Sequence, residues 1–206
     1  MSRLQVAVDI VLFTIRDRRL HVLLIKRLIP PFRGRYALPG GFVRVEESLD
    51  RAALRELQEE TGVEQVYLEQ LYSFGDPHRD PRGRVISVAY YALVPPIASL
   101  HAGTDAADAA WLALDEIPAL AFDHRQIVEY ARQRLRNKLD YSNVGFGLLP
   151  AQFTLTELQL VHEAILGESL DKRNFRRKIG QRGIVEPIDE WRDTGRKPAQ
   201  LYRFKR

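Results

Sequence analysis

The sequence predicts an α/β chain of two modules, a larger domain with a mixed sheet and a small C-terminal module of helices and a hairpin. Three observations carry that prediction. Apolar, β-branched runs at 4–15, 20–25, 66–74 and 85–94 read as strands, while helical spacing of apolar residues marks 49–61 and 124–139. Asp140-Tyr141-Ser142-Asn143-Val144-Gly145-Phe146-Gly147 breaks any helix with turn formers and glycines. This places the first domain at 1–140, a connection at 141–150 and the second domain at 151–206. The charge then shifts: residues 151–206 hold twelve Lys/Arg against eight Asp/Glu, the whole formal excess of +4. Such asymmetry points to an anionic partner at that end.

Composition narrows the classes. Hydrophobic content of 45% and charged content of 28% in 206 residues fit an ordinary globular protein. No run reaches the roughly 18 apolar residues of a membrane span, so no membrane partner is expected. The start, MSRLQVAVDIVLF, runs straight into a strand pattern without the layout of a secretory leader. With no cysteine there are neither disulfides nor thiolate metal sites. The default compartment is the cytoplasm.

In the first domain, Arg16-Asp17-Arg18-Arg19 reads as the turn of a hairpin. Pro30-Pro31-Phe32-Arg33-Gly34 reads as a loop delivering Tyr36-Ala37-Leu38-Pro39-Gly40-Gly41. Ser48 suits the N-cap of the following helix and Gly62 its left-handed end. Leu49, Ala52, Ala53, Leu54 and Leu57 give that helix an apolar stripe. Glu56, Glu59 and Glu60, at i, i+3 and i+4, put three carboxylates on one face. Such crowding is unfavourable without a counter-charge, and Mg2+ or Mn2+ takes carboxylate oxygens and bridges to phosphate. A backbone carbonyl from the 38–41 loop could join them. The alternative is a solvated acidic face.

The stretch GFVRVEESLDRAALRELQEETGV resembles the Nudix box, filling every fixed position of G-x5-E-x7-R-E-U-x-E-E-x-G-U. The resemblance implies a Nudix α/β/α sandwich and a divalent-metal-dependent hydrolase of nucleoside diphosphate derivatives. It implies Glu56, Glu59 and Glu60 as catalytic metal ligands and Gly40 as a carbonyl donor. Glu47 and Arg55 become the charged support of helix and loop, and Gly41 lies beside the substrate. Where many Nudix proteins have tryptophan, this chain has Tyr36.

The loop from Gly75 to Arg84, rich in proline and glycine, carries Arg79, Arg82 and Arg84. Arginine forks suit phosphate oxygens. Asp76 and Asp80 allow a self-paired loop instead, and resemblance to the ADP-ribose-related Nudix branch favours the ligand role. Asp105 and Asp108 precede a short strand at 110–114 and are candidates for a further carboxylate, against a turn or cap role. Asp123 suits the cap of the 124–139 helix, with His124 as a helix-start residue.

In the second domain Thr154-Leu155-Thr156-Glu157 is a capping box. Leu155, Leu158, Leu160, Val161, Ala164 and Ile165 form the stripe of its helix. Asp171 caps a second helix, with Phe175 and Ile179 on one side and Lys172, Arg173, Arg176, Arg177 and Lys178 on the others. Two strands flank Asp193-Thr194-Gly195-Arg196-Lys197-Pro198, a basic hairpin tip. The set resembles a winged helix-turn-helix, which implies that the basic helix enters the major groove of double-stranded DNA while Arg196 and Lys197 meet phosphate. A third helix is expected from the connection, where Phe146, Leu148 and Leu149 would also pack the domains together. An oligomerisation module is the alternative.

Nearly end to end, the chain resembles the Nudix-related transcriptional regulators of NAD metabolism, through SFGDPHRDPRGRVISVAYYALV, FTLTELQLVHEAIL, LDKRNFRRKIG and GRKPAQLYRF. That family implies a homodimer sensing ADP-ribose or a related nucleotide and binding operator DNA. Many of its members have a degraded Nudix box; this one is intact, which argues for retained hydrolysis. Two readings therefore stand: a hydrolase fused to a DNA-binding domain, or a sensor whose pocket binds without turnover.

Overall fold

The computed structural model describes residues 4–63, 66, 68–94, 106–139, 148–193, 195 and 197–205. Asp105, Phe146, Arg196 and the 140–147 segment expected to supply a further helix lie outside them, as does the side chain of Asp108.

The first strands form one hairpin, β1 (Gln5–Arg16) and β2 (Arg19–Arg27). Asp17 and Arg18 both take positive φ, 49° and 60°, as a two-residue turn between right-twisted strands requires. Two short strands follow, β3 (Tyr36–Ala37) and β4 (Gly40–Phe42), then helix α1 (Leu49–Thr61). Next come β5 (Glu69–Phe74), β6 (Val85–Leu93), β7 (Ala106–Ala113) and helix α2 (His124–Lys138). The seven strands make a mixed sheet ordered β3-β2-β1-β6-β5, with β4 on β1 and β7 on β2. β1 runs parallel to β6 and antiparallel to β2 and β4.

Alternation along β1 divides the core. Val8, Ile10 and Leu12 face Ala52, Ala53 and Leu57 of α1, whereas Val11 and Phe13 join Ile127, Val128, Ala131 and Leu135 of α2. One helix therefore covers each face of the sheet, giving an α/β/α sandwich. Leu54 departs from the expected stripe and is 44% exposed. At 3.6 residues per turn it falls off the face shared by Ala53 and Leu57, and Glu56 and Glu60 turn toward that face instead.

The second domain contains β8 (Phe153–Thr154), α3 (Leu155–Leu166), α4 (Lys172–Arg182), β9 (Val185–Arg192) and β10 (Ala199–Phe204). Thr154 and Glu157 form the reciprocal capping box, and Asp171 caps α4 by accepting from the Asn174 N–H at 2.8 Å. The strands pair as β8-β10-β9, the sheet of a winged helix. Leu148 and Leu149 are buried in the same cluster as α2, Phe153, Leu158, Phe175 and Phe204, so one continuous core spans both domains. Polar ties run alongside it. Arg136 of α2 donates to the Ile165 and Leu166 carbonyls at the end of α3, and Arg182 of α4 donates to Leu139 O at 2.6 Å. Cations at helix C-termini satisfy free carbonyls and oppose the helix dipole favourably.

Candidate functional site: an acidic helix, a glycine loop and an arginine-lined cavity

α1 is fixed at both ends by its own sequence. Ser48 accepts from the Arg51 N–H at 3.3 Å, and Gly62 closes the helix at φ 70°. Of the two glycines before it, Gly40 is the steric necessity. A Cβ on Gly40, whose φ is 156°, would stand 2.1 Å from the Val8 carbonyl oxygen, and one on Gly41 would stand 2.4 Å from Glu56 Oε1. The loop can thus lie against β1 only because Gly40 has no side chain, and Gly41 lets the Glu56 carboxylate approach it closely. Gly40→Ala is accordingly expected to cost about 3 kcal/mol or more, in the class of severe steric substitutions. Urea unfolding checks this; a loss below about 0.5 kcal/mol, typical of a neutral surface change, would mean the loop is not braced this way.

Arg55 organises the acidic groups. Its fork pairs with Glu47 at 2.9 and 2.6 Å, while Nη1 reaches Glu56 at 2.7 Å and Glu59 at 3.1 Å. Arg55, with the backbone N–H of Arg44, holds the Glu47 carboxyl down to about 2. Glu60 stands apart, accepting from the Gly40 N–H at 2.7 Å. Burial pushes its carboxyl up to about 8, the backbone N–H opposes this, and the charges of Glu56 and Asp9 add to it. Burial also raises Glu56. Among the described residues no three His, Asp or Glu side chains already converge into a metal cage. The physical reason lies in these contacts: Glu56 and Glu59 face Arg55, and Glu60 faces the loop. The hard oxygen donors nonetheless suit a divalent cation, whose charge would favour the ionised Glu60 carboxylate that burial opposes.

Beside the loop lies a cavity of about 90 Å³ lined by Asp9, Arg27, Gly40, Phe42, Arg79, Arg82, Phe122 and His124, among others. Its floor is a buried ionic network. Arg79 grips Asp123 through two hydrogen bonds, 2.9 and 2.7 Å, and reaches Asp9 at 3.2 Å. Asp123 therefore does not cap α2 with its side chain as expected: its carboxylate is taken by Arg79. His124 is buried, accepting at Nδ1 from the Leu38 N–H at 2.8 Å, with Nε2 3.3 Å from Asp9 Oδ1. Burial lowers its pKa, so the ring is neutral with its proton on Nε2. This ring steadies the start of the glycine loop.

The three loop arginines occupy different places. Arg79 lines the cavity with its fork committed to carboxylates. Arg82 pairs with Asp80 at 2.7 Å and lies over the Phe42 and Phe122 rings at 5.0 and 5.4 Å. Arg84 donates to the Gly75 carbonyl at 2.8 Å and does not line the cavity. Sequence reading passed over Asp9, Arg27 and Phe122. Asp9 carried a signal, a lone acid inside an unbroken apolar strand, which is costly unless paired. Two larger clefts, about 530 and 540 Å³, lie at the domain junction rather than beside the acidic helix.

On the second domain, Lys172, Arg173, Arg176, Arg177 and Lys178 are all exposed on α4, while Phe175 and Ile179 are buried. Lys197 is exposed at the tip between β9 and β10.

A sandwich bearing this acidic helix and glycine loop, continued into a winged helix, defines the class of two-domain Nudix-fold proteins. The NUDIX domain model matches residues 3–131, and the NrtR DNA-binding winged helix domain model matches 145–204. The chain belongs to the Nudix family, in the branch that carries the NrtR winged helix. It is 41% identical to the ADPR responsive transcriptional repressor NtrR of Acinetobacter baylyi, over 96% of this chain and 80% of that one. Over 52% of this chain and 63% of the relative it is 44% identical to an ADP-ribose pyrophosphatase of Methanocaldococcus jannaschii. The crystal structure of Shewanella oneidensis NrtR complexed with a 27mer DNA is similar at a TM-score of 0.80 and 39% identity, covering 97% of this chain and 93% of that one. Nudix hydrolases generally use divalent metals. No helix among the described residues is long and apolar enough to cross a membrane.

Proposed function

We propose that the chain is a divalent-metal-dependent hydrolase of the diphosphate in ADP-ribose or a related nucleotide, and that it also binds operator DNA in response to that nucleotide. The observation that carries this is the coexistence of an intact acidic helix beside a glycine loop with an outward-facing basic α4 on a shared core. Glu56, Glu59, Glu60 and the Gly40 carbonyl would hold Mg2+ or Mn2+, which supplies charge neutralisation for the diphosphate and an activated water. Glu47 and Arg55 position the helix, and Gly41 leaves room for the substrate. Arg82 is the loop arginine best placed to meet it. Arg79 acts beneath the site, and Arg84 supports the loop. Residues 1–140 and 151–206 are the two working domains, joined through 141–150, in a cytoplasmic homodimer.

Helix α2 offers the coupling. Its N-terminal end, Asp123 and His124, lies under the cavity, and its C-terminal end is tied to α3 and α4 through Arg136 and Leu139. A ligand shifts DNA affinity only by binding one arrangement better than another. The test is AMP release from ADP-ribose with Mg2+, together with operator affinity measured with and without ADP-ribose. Wild type should show both turnover and a ligand-dependent shift. Arg136→Ala should shrink the shift severalfold while turnover stays intact, and an unchanged shift would remove α2 from the coupling. A second reading, binding without turnover, is favoured by the likeness to the ADPR responsive transcriptional repressor of Acinetobacter baylyi. Detectable ADP-ribose binding with no AMP release would select it.

A further inference from the structure

The last turn of α2, the end of α3 and one side of α4 enclose a cleft of about 540 Å³ that shares no described residue with the cavity at the glycine loop. Its volume falls within the roughly 300–1,000 Å³ of pockets that take a whole small molecule. Helical spacing explains how α4 lines it. Asn174, Phe175, Lys178, Ile179 and Arg182 recur at three and four residues, and all five face the cleft. Lys172, Arg173, Arg176 and Arg177 do not line it. Lys178 therefore sits on a different side of α4 from the basic residues that the sequence groups with it.

The cleft combines apolar walls with cations that have no counter-ion. Phe175 and Ile179 are buried at its base, Leu166 and Leu170 are partly buried, and the His162 and Phe175 rings meet edge to face at 5.1 Å. Arg136 donates through Nε and Nη2 to the Ile165 and Leu166 carbonyls, which leaves Nη1 without a hydrogen bond among the described residues. Neither Arg136 nor Lys178 has an ion pair within 4.0 Å among those residues. The one acid of the described lining, Asp171, caps α4 by accepting from the Asn174 N–H at 2.8 Å. The neighbouring cleft of about 530 Å³ differs on this point. There Arg18 faces Glu163 at 3.7 Å, Arg19 faces Asp115 at 2.5 Å and Arg132 faces Glu129 at 3.6 Å, so each cation is already answered.

We infer that the cleft between α2, α3 and α4 is a second ligand site, built for an organic anion with an apolar body, an aryl or long-chain carboxylate or sulfonate. The body lies against Leu166, Leu170 and Phe175, and the acid group meets Lys178 and Arg136 Nη1. A compact anion such as phosphate would leave the apolar walls uncovered, and an uncharged hydrophobe would leave both cations unanswered. An occupant held by both cations joins the end of α2 to α4, and so braces the basic helix against the first domain.

The test uses the full chain and two fluorescent probes, anilinonaphthalenesulfonate and phenylnaphthylamine, which has the same aromatic body without the sulfonate. Wild type should bind the sulfonate at one site per chain. Lys178→Glu is expected to weaken it by about tenfold or more while phenylnaphthylamine stays within about twofold. Asn174→Trp, which fills the cleft from an exposed position, should weaken both probes. Sulfonate binding unchanged in Asn174→Trp would put the dye elsewhere and overturn the assignment. So would equal affinity for the sulfonate in wild type and Lys178→Glu, or no binding by wild type. Sulfonate affinity that falls as the chain concentration rises would mean that a second copy takes the cleft, which also overturns it. Should Asn174→Trp fail to fold, the ratio of the two probes in Lys178→Glu decides the matter.

Discussion

Glu60→Gln is expected to reduce AMP release from ADP-ribose by about three orders of magnitude, the scale of losing one element of electrostatic catalysis at a phosphoryl centre. Operator affinity should stay within twofold. The substitution is nearly isosteric, and the glutamine oxygen can still accept the Gly40 N–H that the carboxylate takes at 2.7 Å. The loop and the buried Asp9, Arg79, Asp123 and His124 network therefore stay in place. What disappears is the charge of the most deeply buried carboxylate of the helix. Turnover surviving in the variant would show that this charge is not needed.

The same substitution has a pH signature with a definite sign. Burial raises the folded-state Glu60 carboxyl to about 8, against about 4.3 for glutamate in an unfolded chain. Between those values the unfolded chain has already lost the proton while the folded one keeps it. Without metal, stability therefore falls as pH rises from about 4.5 to about 8 and levels off above that. Glutamine cannot titrate, so the difference between variant and wild type isolates this one group. Glu60→Gln should gain about 2–5 kcal/mol relative to wild type between the ends of that window. Thermal unfolding in EDTA across the range measures it, and parallel curves would show that Glu60 ionises normally. Mg2+ should then stabilise wild type more at the upper end of the window and the variant hardly at all, because hard cations take the ionised carboxylate.

The local signals in the sequence were strong where chain neighbours decide the outcome. Ser48 and Gly62 bound α1, Thr154 and Glu157 close a capping box, and Asp171 caps α4, all contacts within a few residues. Helical periodicity likewise gave the buried Phe175 and Ile179. The rest depends on contacts across the fold. Asp123 looks like a cap until Arg79, 44 residues away, takes its carboxylate. His124 looks like a helix start until the Leu38 N–H reaches it across 86 residues. Arg27 is one of many surface-like cations in the sequence, and only packing against Phe122 reveals its buried end. Spacing put three carboxylates on one helical face, but Arg55 draws two of them aside, and that division depends on side-chain geometry.

Arg176→Ala with Arg177→Ala is expected to weaken operator binding by about tenfold to several hundredfold at physiological salt, since each lost phosphate contact also forfeits its counterion release. Both side chains are exposed on α4, opposite the Phe175 and Ile179 pair that anchors the helix. Arg177 has a contact to Asn174, at 3.4 Å and within its own helix, so little of the fold hangs on either side chain. Truncation should therefore leave the unfolding midpoint and ADP-ribose turnover unchanged. The more telling number is the salt dependence: the slope of log affinity against log salt should shrink by about two if both arginines meet phosphates. A reduced slope with a uniform loss across DNA sequences would place them on the backbone. An unreduced slope with relaxed preference at particular base pairs would place them on base edges in the major groove. An unchanged affinity would detach α4 from DNA altogether and leave the second domain as an assembly module, in which case the variant should change the oligomeric state instead. Each result follows from one property of α4, a basic face turned to solvent by two buried apolar anchors.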